Sequence, residues 1–114
     1  MSEVVNSPVY RAGDWYIISG ITGRVGEQLV GGGFEPEFRR ALERLQDLLS
    51  RHRLALSDVA KVNIYLRDMG NRTRMNELYL QFFGSHLPAR TVVGVAEISR
   101  EGAVEIEGWA YKPA

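Results

Sequence analysis

The sequence contains no cysteine, and this absence removes several kinds of chemistry at once. Without a thiol, the chain has no disulfide, no thiolate metal ligand and no cysteine nucleophile. The two histidines, His52 and His86, stand far apart in the sequence, so a metal centre with three or four ligands is not expected. A chain without cysteine also fits a reducing compartment, and we expect a cytoplasmic location.

Net charge and long apolar runs are lacking as well. The 14 basic and 14 acidic residues give a formal net charge of zero, so the sequence lacks the electrostatic footprint of a nucleic-acid-binding protein. No stretch approaches the roughly 20 apolar residues of a membrane-spanning helix. The first residues contain no basic region followed by a long apolar run, so no signal peptide is expected. The sequence therefore predicts neither a nucleic-acid partner nor a membrane partner.

What is present is ordinary for a globular protein. The 114 residues, 45% of them hydrophobic, are enough to bury one core, and we expect a single domain over residues 1–114. The 12 glycines invite a comparison with phosphate-binding loops. Neither G-x-G-x-x-G nor G-x-x-x-x-G-K-[ST] occurs, so turn formation explains the glycines better.

Hydrophobic periodicity divides the chain into strands and two helices. Apolar residues at three- and four-residue spacing predict a helix over about 35–53 and another from an N-cap at Asn71 to Gly84. Alternating or continuous apolar runs predict strands at 9–10, 15–21, 59–66, 90–97 and 103–110, with a possible hairpin around 27–30. Right-handed crossovers place both helices on one sheet face. We predict a two-layer α/β sandwich with a mixed, mainly six-stranded sheet.

The last two predicted strands carry charges in their interiors, where charges are costly unless they are paired or used. By alternation, Arg90, Val92, Glu105 and Glu107 share one side of the sheet, opposite the helices. That side also carries Trp109 and other apolar residues. Such a mixed surface suits burial against a second copy of the chain, so we predict an oligomer that packs sheet to sheet.

Arg90 and a glutamate are the strongest candidates for chemistry. A guanidinium offers a planar fork to a carboxylate ligand, and a neighbouring glutamate can hold and polarise a water molecule. An ion pair at a subunit interface is the alternative interpretation. The residues alone leave open whether Glu105 or Glu107 is the partner of Arg90.

Three further polar residues have plain structural interpretations. Ser19 precedes Gly20 without the pattern of a G-x-S-x-G nucleophile elbow, so it is interpreted as a strand-end residue or backbone donor. Asn76 lies inside the second helix, either solvated or anchoring a loop. His86 could assist chemistry near Arg90 or lie on the surface of its loop.

Five segments resemble the reactive intermediate deaminase family, also called RidA, YjgF or L-PSP proteins. They are RAGDWYIISG (11–20), LERLQDLL (42–49), SDVAKVNIYLRDM (57–69), MNELYLQFFGSHLPAR (75–90) and VEIEGWA (104–110). The resemblance implies a chorismate-mutase-like fold and a homotrimer with active sites between subunits. It also implies hydrolysis of enamine or imine intermediates, such as 2-iminopropanoate and 2-iminobutanoate, to 2-keto acids and ammonia. No cofactor or metal is implied.

The same resemblance assigns roles to individual residues. Arg90 falls on the arginine that grips the substrate carboxylate, and Glu105, not Glu107, falls on the glutamate that orients water. The positions that it places at the substrate are Ser19, Gly20, Asn76 and Val92, the last standing where a cysteine is common. A tyrosine that many active members carry before the first strand is missing from residues 6–9. This departure motivates an alternative, a non-catalytic carboxylate-binding or regulatory protein. Neutral charge argues against a third hypothesis, an endoribonuclease.

Overall fold

The structure, a computed structural model, describes residues 4–114. The strands are β1 (Val9–Ala12), β2 (Trp15–Thr22), β3 (Arg24–Val25), β4 (Gln28–Leu29), β5 (Val59–Leu66), β6 (Ala89–Gly94) and β7 (Val104–Tyr111). The helices are α1 (Phe34–Arg51) and α2 (Arg72–Phe83). Both helices and the strand predicted at 59–66 are confirmed, and the possible hairpin corresponds to β3 and β4.

Helix α1 follows directly from its sequence pattern. Its buried residues recur at three- and four-residue spacing, namely Phe38, Ala41, Leu42, Leu45 and Leu49. Glu35 and Glu37 lie in the first turn, where the helix dipole favours negative charge. The buried Glu37 also accepts a 2.8 Å hydrogen bond from the backbone N–H of Ala103, which fixes the chain just before β7. None of the helices in the described residues is long and apolar enough to cross a membrane.

The main sheet has five strands in the order β1-β2-β7-β5-β6. The β5–β6 pair is parallel and the other pairs are antiparallel. The predicted count of six is therefore wrong for the described residues, since β3 and β4 form a separate hairpin. Gly23 lies against the backbone of Glu37, where a Cβ would overlap it, so the chain leaves the sheet there and packs on α1.

The two faces of β5 and β7 differ as predicted. Val62, Ile64, Val104 and Ile106 are fully buried and form one core with the apolar residues of both helices. The alternate residues are only half-buried, and we call the side that they occupy the open face. They are Lys61, Asn63, Tyr65, Glu105, Glu107 and Trp109. Two helices packed on one mixed sheet are thus confirmed.

The predicted orientation of β6 is wrong. In its parallel register with β5, Arg90 lies beside Val62 and Val92 beside Ile64, so both residues face the helices. The prediction assigned the faces of the last two strands by alternation alone. In the structure β5 lies between them, and residues 95–103 cross from the sheet edge to β7. Arg90 and Glu105 therefore lie on opposite faces of the sheet.

Candidate functional site

A pocket of about 310 Å³ lies between α2 and the beginning of β6, with Arg90 in its wall. The guanidinium carbon of Arg90 is 4.7 Å from the ring centre of Tyr79, a cation–π contact that holds the side chain in place. No carboxylate in residues 4–114 lies within ion-pair distance of Arg90. Its hydrogen-bonding fork is therefore available to a ligand.

Two polar atoms in the wall of the same pocket are buried without a hydrogen-bond partner in the described residues. They are Oδ1 of Asn76 and the hydroxyl oxygen of Tyr79. An unpaired buried polar group costs about 1–3 kcal/mol, a cost that a ligand with matching groups removes. Burial raises the pKa of Tyr79, against the opposing effect of the Arg90 charge, so the hydroxyl keeps its proton and can donate to a carboxylate. The structure thus brings Asn76, Tyr79 and Arg90 together in the wall of one pocket.

Sequence reasoning missed Tyr79 as a residue of the site. A signal was nevertheless present, because Tyr79 lies three residues after Asn76 and shares its helix face. An asparagine and a tyrosine adjoining on a helix face otherwise lined by apolar residues indicate a polar pocket.

A second group of candidate residues surrounds Glu105 on the open face. A bulge in the pairing of β2 with β7 lies between Ile18 and Ile21 and contains Gly20. Gly20 lies so close to the Glu105 carboxylate that a Cβ there would overlap it. Burial raises the pKa of Glu105, and the charge of Glu107 raises it further. No hydrogen-bond donor within residues 4–114 reaches this carboxylate, which leaves it free to hold water.

Glu107, the alternative carboxylate, is already occupied. Its Oε2 accepts hydrogen bonds from the Asn63 amide at 3.1 Å and from the Tyr65 hydroxyl at 2.5 Å. These donors come from β5, so the interaction ties two strands together. Of the two glutamates, Glu105 is the one whose carboxylate accepts no hydrogen bond from the described residues, whereas Oε2 of Glu107 accepts two.

Ser19 anchors the chain before β1. Its hydroxyl donates a 2.6 Å hydrogen bond to the carbonyl of Ser7 and accepts a 3.4 Å one from the Asn6 amide. Its backbone N–H donates to the carbonyl of Pro8. Residues 6–8, part of the segment 6–9 in which the resemblance implies a tyrosine, are thereby held against Ser19.

Val92 and His86 both make contacts that stabilise the fold. Val92 packs against the core and lies outside the wall of the Arg90 pocket. Nε2 of His86 lies 2.8 Å from the carbonyl of Val59, to which it donates a hydrogen bond, so this side chain ties its loop to β5.

The described chain therefore holds two half-sites, which we name by their charged residues. The arginine half-site comprises Asn76, Tyr79 and Arg90, and the glutamate half-site comprises Gly20 and Glu105. The expectation that Arg90 and Glu105 share a sheet side is wrong, since they lie on opposite faces and on strands separated by β5, about 10 Å apart at ordinary strand spacing. Within one described chain, the two residues therefore do not face a common pocket.

The raised pKa of Glu105 leads to a stability prediction. Between its ordinary pKa of 4.5 and the raised value, the folded state binds more protons than the unfolded state, so folding stability falls as pH rises. We therefore expect Glu105→Gln to melt at a higher temperature than the wild type at pH 8, with the difference vanishing towards pH 4. Thermal unfolding followed by circular dichroism measures this.

The matched control for that measurement is Glu97→Gln, which removes a carboxylate from the exposed chain between β6 and β7. Its melting temperature should follow that of the wild type at both pH values. If Glu105→Gln changes the melting temperature equally at pH 4 and pH 8, the effect arises from packing and the ionisation argument is wrong.

Comparison with known proteins gives a consistent result. Residues 3–112 match the family described as Endoribonuclease L-PSP. A RutC family protein of Pyrococcus horikoshii is 37% identical over 109 residues, covering 93% of this chain and 86% of the relative. The human 2-iminobutanoate/2-iminopropanoate deaminase is 33% identical over 97 residues, covering 81% and 71%. The crystal structure of RidA from the Antarctic bacterium Psychrobacter sp. PAMC 21119 superposes with a TM-score of 0.90 at 28% identity, covering 98% and 92%.

Proposed function

This chain belongs to the reactive intermediate deaminase family, the RidA, YjgF or L-PSP proteins, and we propose that it hydrolyses 2-imino acids to 2-keto acids and ammonia. Relatives 33% and 37% identical are named 2-iminobutanoate/2-iminopropanoate deaminase, which supports deaminase chemistry. The observation that carries the proposal is the arginine half-site, where an unpaired guanidinium stands beside two unsatisfied buried polar atoms. That combination suits a small carboxylate ligand.

In this proposal the working unit is a homotrimer that packs through the open face. Large apolar side chains remain exposed there in the single chain, including Trp15 at 42%, Ile17 at 38%, Val93 at 39% and Tyr111 at 44%. Apolar groups gathered on one face favour burial against another protein surface. Arg90 lies on the edge strand β6, so a neighbouring subunit can present its Glu105 to the arginine half-site.

The chemistry then follows from the two half-sites. Arg90 holds the substrate carboxylate, and the hydroxyl of Tyr79 donates a further hydrogen bond to it. Glu105 of the neighbouring subunit, in its ionised form, orients a water molecule and accepts its proton as the oxygen bonds to the iminium carbon C2. Glu105 returns this proton to the amino nitrogen of the adduct. The C–N bond breaks, ammonia leaves with the bonding electron pair, and loss of the hydroxyl proton to solvent gives the keto acid.

The direct test generates 2-iminobutanoate in situ with a threonine dehydratase and measures the release of 2-oxobutanoate. Adding the protein should increase the rate of release in proportion to its concentration. Binding of 2-oxobutanoate that depends on Arg90, without any increase in rate, would replace the proposal with a carboxylate-binding or regulatory function. Cleavage of RNA that survives removal of contaminating nucleases and depends on Arg90 would replace it with the activity in the family description.

A further inference from the structure

Four arginines lie near one another where β3 meets helix α1, and we call them the arginine cluster. Its members are Arg24, Arg40, Arg44 and Arg100, whose guanidinium groups all donate to backbone carbonyls of residues 22–27. Arg44 is half-buried, and its burial lowers its pKa, while the charges of the other three arginines lower it further. Like charges brought together in a partly desolvated place repel each other, a cost that counter-charge would remove.

Carboxylates provide little of that counter-charge. In residues 4–114 only Arg40 of the cluster has an ion-pair partner, at 3.5 Å, and this partner, Glu43, has a side chain that is 69% exposed. The cluster donates instead to backbone carbonyls at 2.5–2.9 Å. These carbonyls belong to Arg24, Thr22, Gly26 and Glu27. The bonds tie α1 to the chain at residues 22–24, and they tie the chain before β7 to the β3–β4 turn.

Two members of the cluster, Arg24 and Arg44, line a cavity of about 110 Å³ together with Ser19 and Gly20. Each guanidinium has five N–H donors, and in the described residues each of these two uses one nitrogen, for a backbone carbonyl. Since a water molecule occupies about 30 Å³ in the liquid, the cavity has room for a small anionic group and some water. Unused guanidinium donors of two neighbouring arginines therefore meet in one cavity.

We propose that this cavity binds a small oxyanion, a carboxylate or phosphate group, at a site distinct from Arg90. The oxyanion has two possible sources. It is either a free ion or the second anionic group of a substrate. A substrate can reach the cavity because Gly20 both lines it and lies against Glu105 of the glutamate half-site. Recognition is the same in both cases, since guanidinium groups donate charge-assisted hydrogen bonds to oxyanion oxygens.

The test compares the melting temperature of the protein in sodium phosphate and in sodium chloride at equal pH and ionic strength. Phosphate should raise the melting temperature of the wild type by several degrees more than chloride, because ligand binding to the folded state stabilises it. The difference should disappear in Arg24→Gln and Arg44→Gln, and Arg44→Lys, which keeps the charge, should retain part of it. Two separate removal variants keep the test decisive if one of them fails to fold.

Arg51→Gln is the matched control, since Arg51 lies on the same helix, is 70% exposed and pairs with Asp47. It should keep the full phosphate effect. An equal phosphate effect in the wild type, in the control and in both removal variants would overturn the proposal, as would a wild type that responds identically to phosphate and chloride.

A second arm identifies the source of the oxyanion and rests on the proposed deaminase function, whereas the phosphate arm does not. It compares kcat/KM for 2-iminobutanoate with that for a dicarboxylic imino acid, 2-iminoglutarate. If the substrate provides the group, Arg44→Gln should lower kcat/KM for 2-iminoglutarate about tenfold relative to kcat/KM for 2-iminobutanoate. This is the effect of losing one charged hydrogen bond. An unchanged ratio together with a positive phosphate arm assigns the site to a free anion. A negative phosphate arm with intact deaminase activity refutes this inference alone.

Discussion

Arg90→Ala is expected to lower kcat/KM for 2-iminobutanoate by about 30-fold or more. Removing one partner of a close, partly desolvated charge pair costs about 2–5 kcal/mol, and each 1.4 kcal/mol corresponds to a factor of ten. In residues 4–114 no carboxylate forms an ion pair with Arg90, so its removal breaks no ion pair within the described chain. The interaction that is lost is the one with the substrate carboxylate. The release of keto acid from imine generated in situ measures the effect.

Two further variants show whether the fork or only the charge matters. Arg90→Lys keeps the charge but loses the planar pair of donors, so an intermediate activity with a raised KM is expected. Arg72→Ala removes an exposed arginine at the start of α2 and should behave as the wild type. Equal rates for Arg90→Ala and the wild type across several imino acids would contradict the deaminase proposal, provided that their melting curves show both proteins folded.

The sequence predicted best those elements whose pattern has one interpretation. Helix α1 and strand β5 have strong periodicity and one buried face, and β5 begins and ends where it was predicted. Strand β6 was placed with the wrong face inward because alternation yields two sets of residues without saying which set faces the helices. Apolar residues occur in both sets, with Val92 against the core and Val93 on the open face. Only the register with β5 decides between them.

The candidate site was predictable in its parts but not in its arrangement. Residue chemistry selected Arg90 with a glutamate, and the resemblance selected Glu105. The physical distinction between Glu105 and Glu107 depends on Asn63 and Tyr65, which lie more than forty residues earlier and donate only to Glu107. Sequence spacing cannot reveal which carboxylate is already satisfied. It also cannot reveal that Arg90 and Glu105 lie on opposite faces of the sheet. Whether the two residues share a site therefore depends on how copies of the chain assemble.

Mixing two inactive variants is expected to restore activity. If each site takes Arg90 from one subunit and Glu105 from the next, neither Arg90→Ala nor Glu105→Gln has a complete site in its own homotrimer. The loss in Glu105→Gln should be about 100-fold or more, as for removal of a general base. A cyclic trimer that contains both kinds of subunit has one boundary at which two intact residues meet. Mixed trimers should therefore have about a third of the wild-type activity.

The mixed trimers are obtained by co-expressing the two variants with different affinity tags and purifying on both tags in succession. The control is the same procedure applied to two differently tagged copies of Arg90→Ala, which should stay inactive. If Arg90 and Glu105 served the same site from one chain, every site in a mixed trimer would still lack one residue, and no activity would return. Recovery thus depends on the feature that the fold imposes, the placement of Arg90 and Glu105 on opposite faces of one sheet.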